Sequence, residues 1–341
     1  MTRVKSAKLL LDGYGSYLGM EKGCFTVKDK QGNVERYPMF EKEIGEVVLK
    51  SGNTVSTGAL ASLGFWNIDV LVLTQKGRPV AMLKNLEDDS HVETRICQYE
   101  ALKNGKAFYI AKQFLIGKIE GQNRLLNKYG LKTVPSASQR INSFNESDLV
   151  MLRRRLNHFE GKVSQHYFKH VFQLFPESIR PSNRKGFKAY DGLNNVFNLA
   201  YKLLFWKCYR ALTKCHLEPY LGFLHCIQPT RASLVCDFVE LYRYLVDDFL
   251  IDYCQKLSSR DFVAKTETFN DKKGKRIYLN DGLTRDLTRK LHEFFKRNVN
   301  IRRIKRGEKQ EIETLINEEA MLLGKYLRDE RKEWIPRIVS F

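Results

Sequence analysis

The apolar positions of this 341-residue chain follow two periods, and the pattern changes near residue 85. Before that point, short runs of β-branched and aromatic residues are separated by turn sequences such as Gln31-Gly32-Asn33, which is the pattern of short strands. One helix is predicted there, at Val55–Leu63, with Ser56 or Thr57 as its N-cap. The predicted strands are Lys8–Asp12, Ser16–Met20, Cys24–Lys28, Val34–Pro38, Glu46–Lys50, Ile68–Thr74 and Pro79–Leu83.

After a polar linker at 85–90, apolar residues recur at helical spacing. The linker ends at Ser90, and Glu93 follows three residues later, which is the pairing of a capping box. The sequence therefore predicts an α+β multidomain fold, in which a small β-rich domain at 1–84 precedes a larger all-α domain at 91–341. Its predicted helices cover about 90–129, 147–175, 191–216, 233–257, 283–298 and 309–328.

The charge of the chain is strongly positive, with 58 Lys and Arg against 39 Asp and Glu, a formal net charge of +19. Residues 1–82 hold only 11 basic and 8 acidic residues, so most of the excess lies in the predicted helical domain. Such an excess favours a polyanionic partner, nucleic acid above all, although a basic surface kept for solubility is the alternative. The candidate nucleic-acid-binding residues are Arg153, Arg154, Arg184, Lys185, Arg231, Arg302, Arg303, Lys305 and Arg306.

The seven cysteines are scattered and form no Cys-x-x-Cys pair, so the sequence predicts neither a disulfide framework nor a structural zinc site. Free thiols are typical of a reducing cytoplasm, which is the expected location. No apolar run is long enough to cross a bilayer, and we expect no membrane partner.

The candidate chemistry lies between Gly222 and Leu241. His225 ends a short apolar run, and Asp237 and Glu240 follow on a predicted helix, three residues apart and therefore on one face. An imidazole nitrogen with carboxylate oxygens suits a divalent ion that keeps positions open for water and phosphate. The same spacing fits a histidine bonded to the backbone and a charged stripe that faces water, and the pattern alone does not decide between these readings.

Glu160 is a further candidate, because it lies beside Phe159 and Val163 in the apolar stripe of the 147–175 helix. A carboxylate so close to a buried face needs a partner, and a metal ion would supply one. On spacing alone, an edge position that reaches solvent or bonds to Asn157 explains Glu160 better.

Taken together, four segments of the chain resemble the CRISPR-associated integrase family of the spacer-acquisition complex, the universal first member of the Cas series. The segments are Leu9-Leu10-Leu11-Asp12-Gly13, Phe159-Glu160-Gly161 with Tyr167-Phe168, Asp191-Gly192-Leu193-Asn194 with Leu199-Ala200-Tyr201, and Gly222-Phe223-Leu224-His225 with Ser233-Leu234 and Asp237-x-x-Glu240. They occur in the family's order over nearly the whole chain. The chain departs from the family pattern at Gly192, where Pro is usual, at Ala200, where Gly is usual, and at Glu240, where many relatives have Asp.

The resemblance implies that Glu160, His225 and Glu240 bind one Mg²⁺ or Mn²⁺, with Asp237 beside them as a supporting catalytic acid. It also implies a homodimer formed by the N-terminal domain, with two dimers bridged by the small ferredoxin-like partner of the adaptation complex. The substrates would be DNA, namely a spacer precursor and the CRISPR repeat. The implied reaction is attack of a 3′-hydroxyl of short foreign DNA on a phosphodiester of the array, by an enzyme that also acts as an endonuclease.

Other classes of protein fit the same residues. One is a different metal-dependent nuclease, an RNase or a DNA-repair enzyme, and another is a non-catalytic nucleic-acid-binding scaffold. A third is an interaction protein with acidic partners. Cleavage assays with and without Mn²⁺ separate the enzymes from the scaffold.

Overall fold

The computed structural model describes residues 7–11, 13–38, 44–66, 68–75, 79–83, 92–186, 189–269, 272–300 and 309–339. The chain divides into two compact units, Met1–Ser90 and His91–Phe341. The first unit is rich in strands and the second is mainly helical, which confirms the predicted fold class.

The described part of the first unit forms two four-stranded sheets. In the first sheet, with the order β1-β5-β7-β8, the first three strands are parallel and β8 is antiparallel to β7. In the second, with the order β4-β3-β2-β6, only β6 is parallel to its neighbour. The strands are β1 (Ala7–Leu11), β2 (Tyr17–Glu21), β3 (Cys24–Lys28), β4 (Val34–Pro38), β5 (Ile44–Lys50), β6 (Thr54–Val55), β7 (Asp69–Leu73) and β8 (Pro79–Leu83).

Helix α1 (Thr57–Phe65) packs against this β-rich core and buries Ala59 and Leu63. It begins after Ser56, whose hydroxyl accepts a hydrogen bond from the backbone N–H of Ala59 at 3.1 Å. The prediction of Ser56 as N-cap is confirmed.

The described part of the second unit is built from helices and two antiparallel strand pairs, so the prediction of an all-α domain, which contained no strands, is wrong on this point. Among the residues described, no helix combines the length and the apolar character needed to span a bilayer. The helices are α2 (Val92–Glu100), α3 (Lys106–Lys128), α4 (Ala137–Asn142), α5 (Leu149–Val171), α6 (Gly192–Lys214), α7 (Ser233–Glu240), α8 (Arg243–Cys254), α9 (Asp281–Phe295) and α10 (Ile312–Leu327). The strands pair as β9 (Phe262–Phe269) with β10 (Lys272–Leu279) and β11 (Asn298–Asn300) with β12 (Lys309–Glu311).

Two of the predicted long helices are each split in the structure. The helix predicted at 90–129 is interrupted before α3, where Gly105 has a φ of +84°, a left-handed conformation that favours glycine. The helix predicted at 233–257 breaks at Leu241 and Tyr242, although no glycine or proline marks the break. Tyr242 is 1% exposed, so tertiary packing sets this boundary. The predicted capping box at Ser90 lies outside the described residues.

Two glycines let α3 approach the ends of α7 and α8 closely. A Cβ on Gly117 would lie 2.7 Å from Cδ2 of Leu241, and a Cβ on Gly121 would overlap the ring of Tyr244. Both glycines lie on one face of α3, one turn apart. Lys118 follows Gly117 directly, so this close packing holds its side chain beside the C-terminus of α7.

Asp247 joins three helices in the core of the second unit. It is 1% exposed and accepts hydrogen bonds from the hydroxyl of Tyr167 on α5, at 2.6 Å, and from that of Tyr201 on α6. Burial raises the pKa of Asp247 to about 6, although the two hydroxyls and the guanidinium groups of Arg243 and Arg184 oppose the rise. The carboxylate is therefore held by hydrogen bonds against a substantial desolvation cost.

We expect Gly121→Ala to lower the free energy of unfolding by about 1–3 kcal/mol, because the new methyl group would overlap Tyr244 in a filled core. The matched control is Gly161→Ala in the middle of α5, where an added Cβ meets no atom within 4 Å. That change should raise the free energy of unfolding by about 0.5–1 kcal/mol, because alanine has a higher helix propensity than glycine. Chemical unfolding followed by circular dichroism measures both, and equal effects of the two variants would contradict the close packing.

Because the pKa of Asp247 is raised by burial, we expect the free energy of unfolding to depend on pH. Its pKa is higher in the folded chain, at about 6, than the value near 3.8 of an exposed aspartate, so the folded state binds the proton more tightly. This contribution is complete below about pH 4 and falls as pH rises to about 6, by roughly 2–3 kcal/mol at most. Asp247→Asn removes the dependence, so the stability of the variant relative to wild type should rise between pH 4 and 7. A difference in unfolding free energy that does not change with pH would contradict this account.

Candidate active site

Lys118 contacts two of the predicted ligands at once. Its ammonium group pairs with Oε1 of Glu160 on α5 and lies 2.7 Å from Oε2 of Glu240 on α7. The side chains of Lys118 and Glu240 are each 5% exposed, whereas that of Glu160 is 27% exposed. The two carboxylates therefore share one cation in a buried site whose more open side lies at Glu160.

Glu240 is kept ionised by its neighbours in spite of its burial. Nη1 of Arg243 lies 2.9 Å from its Oε1. Burial would raise the pKa of Glu240, but the positive charges of Arg243 and Lys118, together with His225, lower it to about 2. The Oε2 atom is buried and contacts the ammonium group of Lys118 at 2.7 Å. Each oxygen of this buried carboxylate therefore faces a cation, which compensates the loss of water.

Glu160 has its partners inside the protein. The hydroxyl of Ser164, one helical turn further along α5, donates a hydrogen bond of 2.6 Å to the Oε1 atom that also pairs with Lys118. Glu160 thus lies at the edge of the stripe and is partly exposed, as one reading expected, but its side-chain partners are Lys118 and Ser164.

Asp237 is fully buried and holds the loop that carries His225. Its Oδ2 atom accepts the backbone N–H groups of Phe223 and Leu224, at 2.7 and 3.0 Å. Its Oδ1 atom accepts the backbone N–H of His225 at 2.9 Å and contacts Nδ1 of the same residue at 2.6 Å. Because an ionised carboxylate only accepts, this contact places the proton on Nδ1 and makes Nε2 the nitrogen that can bind a metal. Asp237 thus orients His225, and both of its oxygens are already engaged.

Arg153 clamps the same loop from α5. Its Nε and Nη2 atoms donate to the carbonyl oxygens of Phe223 and Gly222, each at 2.7 Å. The residue is buried, with 7% of its surface exposed. The prediction that Arg153 contacts nucleic acid is wrong, because its guanidinium group is buried against loop carbonyls. The loop before His225 is therefore fixed on both sides, by a carboxylate on its N–H groups and by a guanidinium on its C=O groups.

Arg184 is partly buried and contacts α6, and its predicted role on DNA stays a prediction. Its guanidinium nitrogens donate to the side-chain oxygens of Asn194, at 3.0 Å, and Asn198, at 2.7 Å, and the group lies 5.2 Å from the ring centre of Tyr201. These contacts tie the basic loop at 180–186 to α6.

The other predicted nucleic-acid contacts differ in their exposure. Arg154 and Lys185 are exposed, and Arg231 is partly exposed. These three side chains are accessible to a phosphate backbone, although nothing in the structure assigns them to one. Arg302, Arg303, Lys305 and Arg306 lie outside the described residues.

Within the part of the chain that the structure describes, no group of three or more His, Cys, Asp and Glu side chains is arranged to hold a metal ion. The structure brings Glu160 and Glu240 together around Lys118, and it ties His225 to Asp237. The donor set nevertheless fits a divalent cation, because two carboxylates already share a cation and the imidazole is oriented by a carboxylate. Convergence of the three predicted ligands on one ion stays a prediction.

The sequence patterns missed Lys118 and Arg243, the two cations of this cluster. A signal for Lys118 was present, because it lies on the face of α3 that buries Phe114, Gln122 and Leu125. A lysine on a buried helix face needs a carboxylate partner from elsewhere in the fold.

Comparisons with known proteins agree with the fold. The family model for CRISPR associated protein Cas1 matches residues 9–293. A CRISPR-associated endonuclease Cas1 of Archaeoglobus fulgidus is 28% identical over 267 residues, 72% of this chain and 76% of the relative. Another, of Korarchaeum cryptofilum, is 27% identical over 279 residues, 76% of this chain and 81% of the relative.

Two solved structures share the fold over most of their length. A casposase bound to an integration product has a TM-score of 0.73 at 21% identity and covers 96% of this chain and 92% of its own. A Cas1 protein from Thermotoga maritima has a TM-score of 0.71 at 17% identity, covering 94% and 97%. Because the family model spans far more than half of the sequence, from the first strand into α9, this chain belongs to the Cas1 family of CRISPR-associated spacer-acquisition proteins.

Proposed function

We propose that this chain is a metal-dependent DNA endonuclease and strand-transferase that inserts short foreign DNA into a CRISPR array. Membership of the Cas1 family supports a nuclease or integrase role, since the curated relatives are named endonucleases and a structural neighbour is bound to an integration product. The observation that carries the proposal is the pairing of Glu160, which is partly exposed, and Glu240, which is buried, with the ammonium group of Lys118, beside an oriented His225.

Glu160, Glu240 and Nε2 of His225 are the groups that would hold Mg²⁺ or Mn²⁺, since carboxylate and imidazole ligands suit both ions. A divalent ion bound there supplies a Lewis acid for a phosphoryl oxygen and a template for the reacting phosphate.

The protein's own residues supply position and access. Asp237 and Arg153 fix the loop of His225, so the imidazole keeps one orientation when substrate enters. The side chains of Glu160 and His225 are 27% and 21% exposed, so a phosphodiester can approach from their side of the cluster. Lys118 and Glu240, whose side chains are each 5% exposed, lie on the buried side of the cluster.

The reaction conserves the number of phosphodiester bonds. The 3′-hydroxyl oxygen of the foreign strand forms a bond to phosphorus, and the bond from phosphorus to the 3′-oxygen of the array strand breaks. The proton lost by the attacking hydroxyl ends on the departing 3′-oxygen. With water as the attacking group, the same site cuts DNA and no strand is joined.

DNA binding is the part of the proposal that the charge supports. Exposed cations such as Arg154 and Lys185, on a chain of net charge +19, would contact phosphates with little sequence preference.

We further propose that the β-rich domain at 1–84 forms a homodimer and that the chain assembles with the small ferredoxin-like partner. A Cas6-RT-Cas1–Cas2 complex contains a chain with this fold, at a TM-score of 0.72 over 98% of the present one. The seven free cysteines suit the cytoplasm.

We expect Glu160→Gln to lower strand transfer by about 100-fold or more, because it removes a charge from the ion site while keeping its shape. The matched control is Glu120→Gln, which breaks only an exposed pair with Arg124. Activity is measured as joining of a labelled duplex to a leader–repeat target in Mn²⁺, with excess chelator as a second arm. DNA affinity is measured by fluorescence anisotropy and should match wild type in both variants.

The substrate panel separates the alternatives. Joining of duplex DNA ends to the array supports the proposal, whereas cleavage confined to RNA or to branched DNA identifies a different nuclease. DNA binding with no cleavage or joining in Mn²⁺ identifies a scaffold. Activity that persists in chelator, or in Glu160→Gln, rejects the metal site.

Asp237→Asn tests the orienting role of the buried carboxylate. An amide cannot accept from all four N–H groups that Asp237 serves, so the imidazole loses its fixed orientation. Strand transfer should fall by about 10- to 100-fold while DNA affinity is unchanged. A thermal melt checks the folded fraction, and a folded variant with wild-type activity would contradict the role.

A further inference from the structure

The position of Lys118 is not explained by a role as ligand or general base, since an ammonium group cannot bind a metal ion. Its side chain is 5% exposed, and its nitrogen contacts carboxylates from two other helices. Through this one group, α3 is joined to Glu160 on α5 and to Glu240 on α7. A lysine buried in this way is stable only because both carboxylates compensate its charge.

The packing of α3 directs the side chain of Lys118 towards Glu160 and Glu240. Gly117 and Gly121 bring α3 into contact with Leu241 and Tyr244, which places the base of the lysine side chain directly beside the acidic pair. The close approach is a property of the backbone, so the lysine is directed to this point by the fold.

The charges of the cluster balance as the structure stands. Glu160 and Glu240 carry two negative charges, and Lys118 and Arg243 carry two positive charges in contact with them. A divalent ion at the same carboxylates would place two further positive charges within a few ångströms of the ammonium group, in a site with little water to screen them. The ion and the ammonium group therefore require the same oxygens and repel each other.

We propose that Lys118 is an internal counter-cation, which holds Glu160 and Glu240 together in the metal-free protein and is displaced from them when a divalent ion binds. The inference rests on the proposed function, since it takes these carboxylates as the metal ligands. Lys118 is then a positioning residue with two effects. It stabilises the fold without metal, and it weakens metal affinity, because each ion must break the existing ion pairs.

The test is Mn²⁺ binding to the full chain, by isothermal titration and by the electron paramagnetic resonance signal of free Mn²⁺. Lys118→Met should bind Mn²⁺ about tenfold tighter or more, since the competing cation is gone. In EDTA the same variant should melt at a lower temperature than wild type, because the buried Glu240 and the partly exposed Glu160 both lose a partner. Added Mn²⁺ should raise its melting temperature by more than it raises that of wild type.

Two further variants serve as controls. Lys128→Met removes another ion-paired lysine of α3, one that lies 2.6 Å from Asp248, and it should leave Mn²⁺ affinity unchanged. Lys118→Arg keeps the positive charge, so its Mn²⁺ affinity should equal or fall below that of wild type. A gain in Lys118→Arg as large as that in Lys118→Met would assign the effect to altered packing and overturn the proposal.

The remaining outcomes each decide the matter. Unchanged or weaker Mn²⁺ binding by Lys118→Met, when wild type binds, overturns the role of Lys118 and leaves the metal site intact. No binding by wild type, or binding that Glu160→Gln leaves unaltered, refutes the proposed function instead. If Lys118→Met is unfolded in EDTA, Mn²⁺ is expected to restore the fold, and a variant that Mn²⁺ fails to restore also overturns the proposal.

Discussion

The structure around the candidate site depends on one electrostatic constraint, which is that two neighbouring carboxylates, one of them buried, must share positive charge. Glu160 and Glu240 reach this place from different helices, and Lys118 supplies the charge from a third. Helix α3 packs closely on the ends of α7 and α8 because Gly117 and Gly121 lie at the contact, where larger residues would hold the helices apart. The same constraint that stabilises the fold thus prepares a site for a stronger cation, and it links the packing of the helical unit to its chemistry.

Much of the fold follows from local patterns. In the first unit the seven predicted strands lie within a few residues of observed ones, because alternating side chains and glycine turns are local signals, whereas the two-residue strand β6 was not predicted. The hairpin of β9 and β10 was missed, since its strands, Phe262–Phe269 and Lys272–Leu279, are rich in charged residues and lie between two strong helices. The break at Leu241 and Tyr242 has no sequence marker, because it is imposed by the burial of an aromatic ring.

The candidate site was predictable where its parts lie close in sequence. His225, Asp237 and Glu240 lie within 16 residues, and the helical spacing of the two acids identifies a shared region. Their division of labour was not predictable, since only the fold reveals that Asp237 turns back to its own loop. Lys118 lies 42 residues before Glu160, and Arg153 was assigned to DNA because an arginine on a helix reads as exposed until its loop partner is known. The spacing of residues along the sequence does not identify contact partners that are distant in sequence.

The proposed metal site is tested most directly by locating the cation itself. Crystals of the full chain grown with Mn²⁺ would give an anomalous difference map that reports the ion's position without assumption. The account predicts one strong peak in contact with the carboxylates of Glu160 and Glu240 and with Nε2 of His225, and an ammonium group of Lys118 withdrawn from both acids. A map with no peak at this place, and Lys118 still bridging the two carboxylates at saturating Mn²⁺, would contradict it.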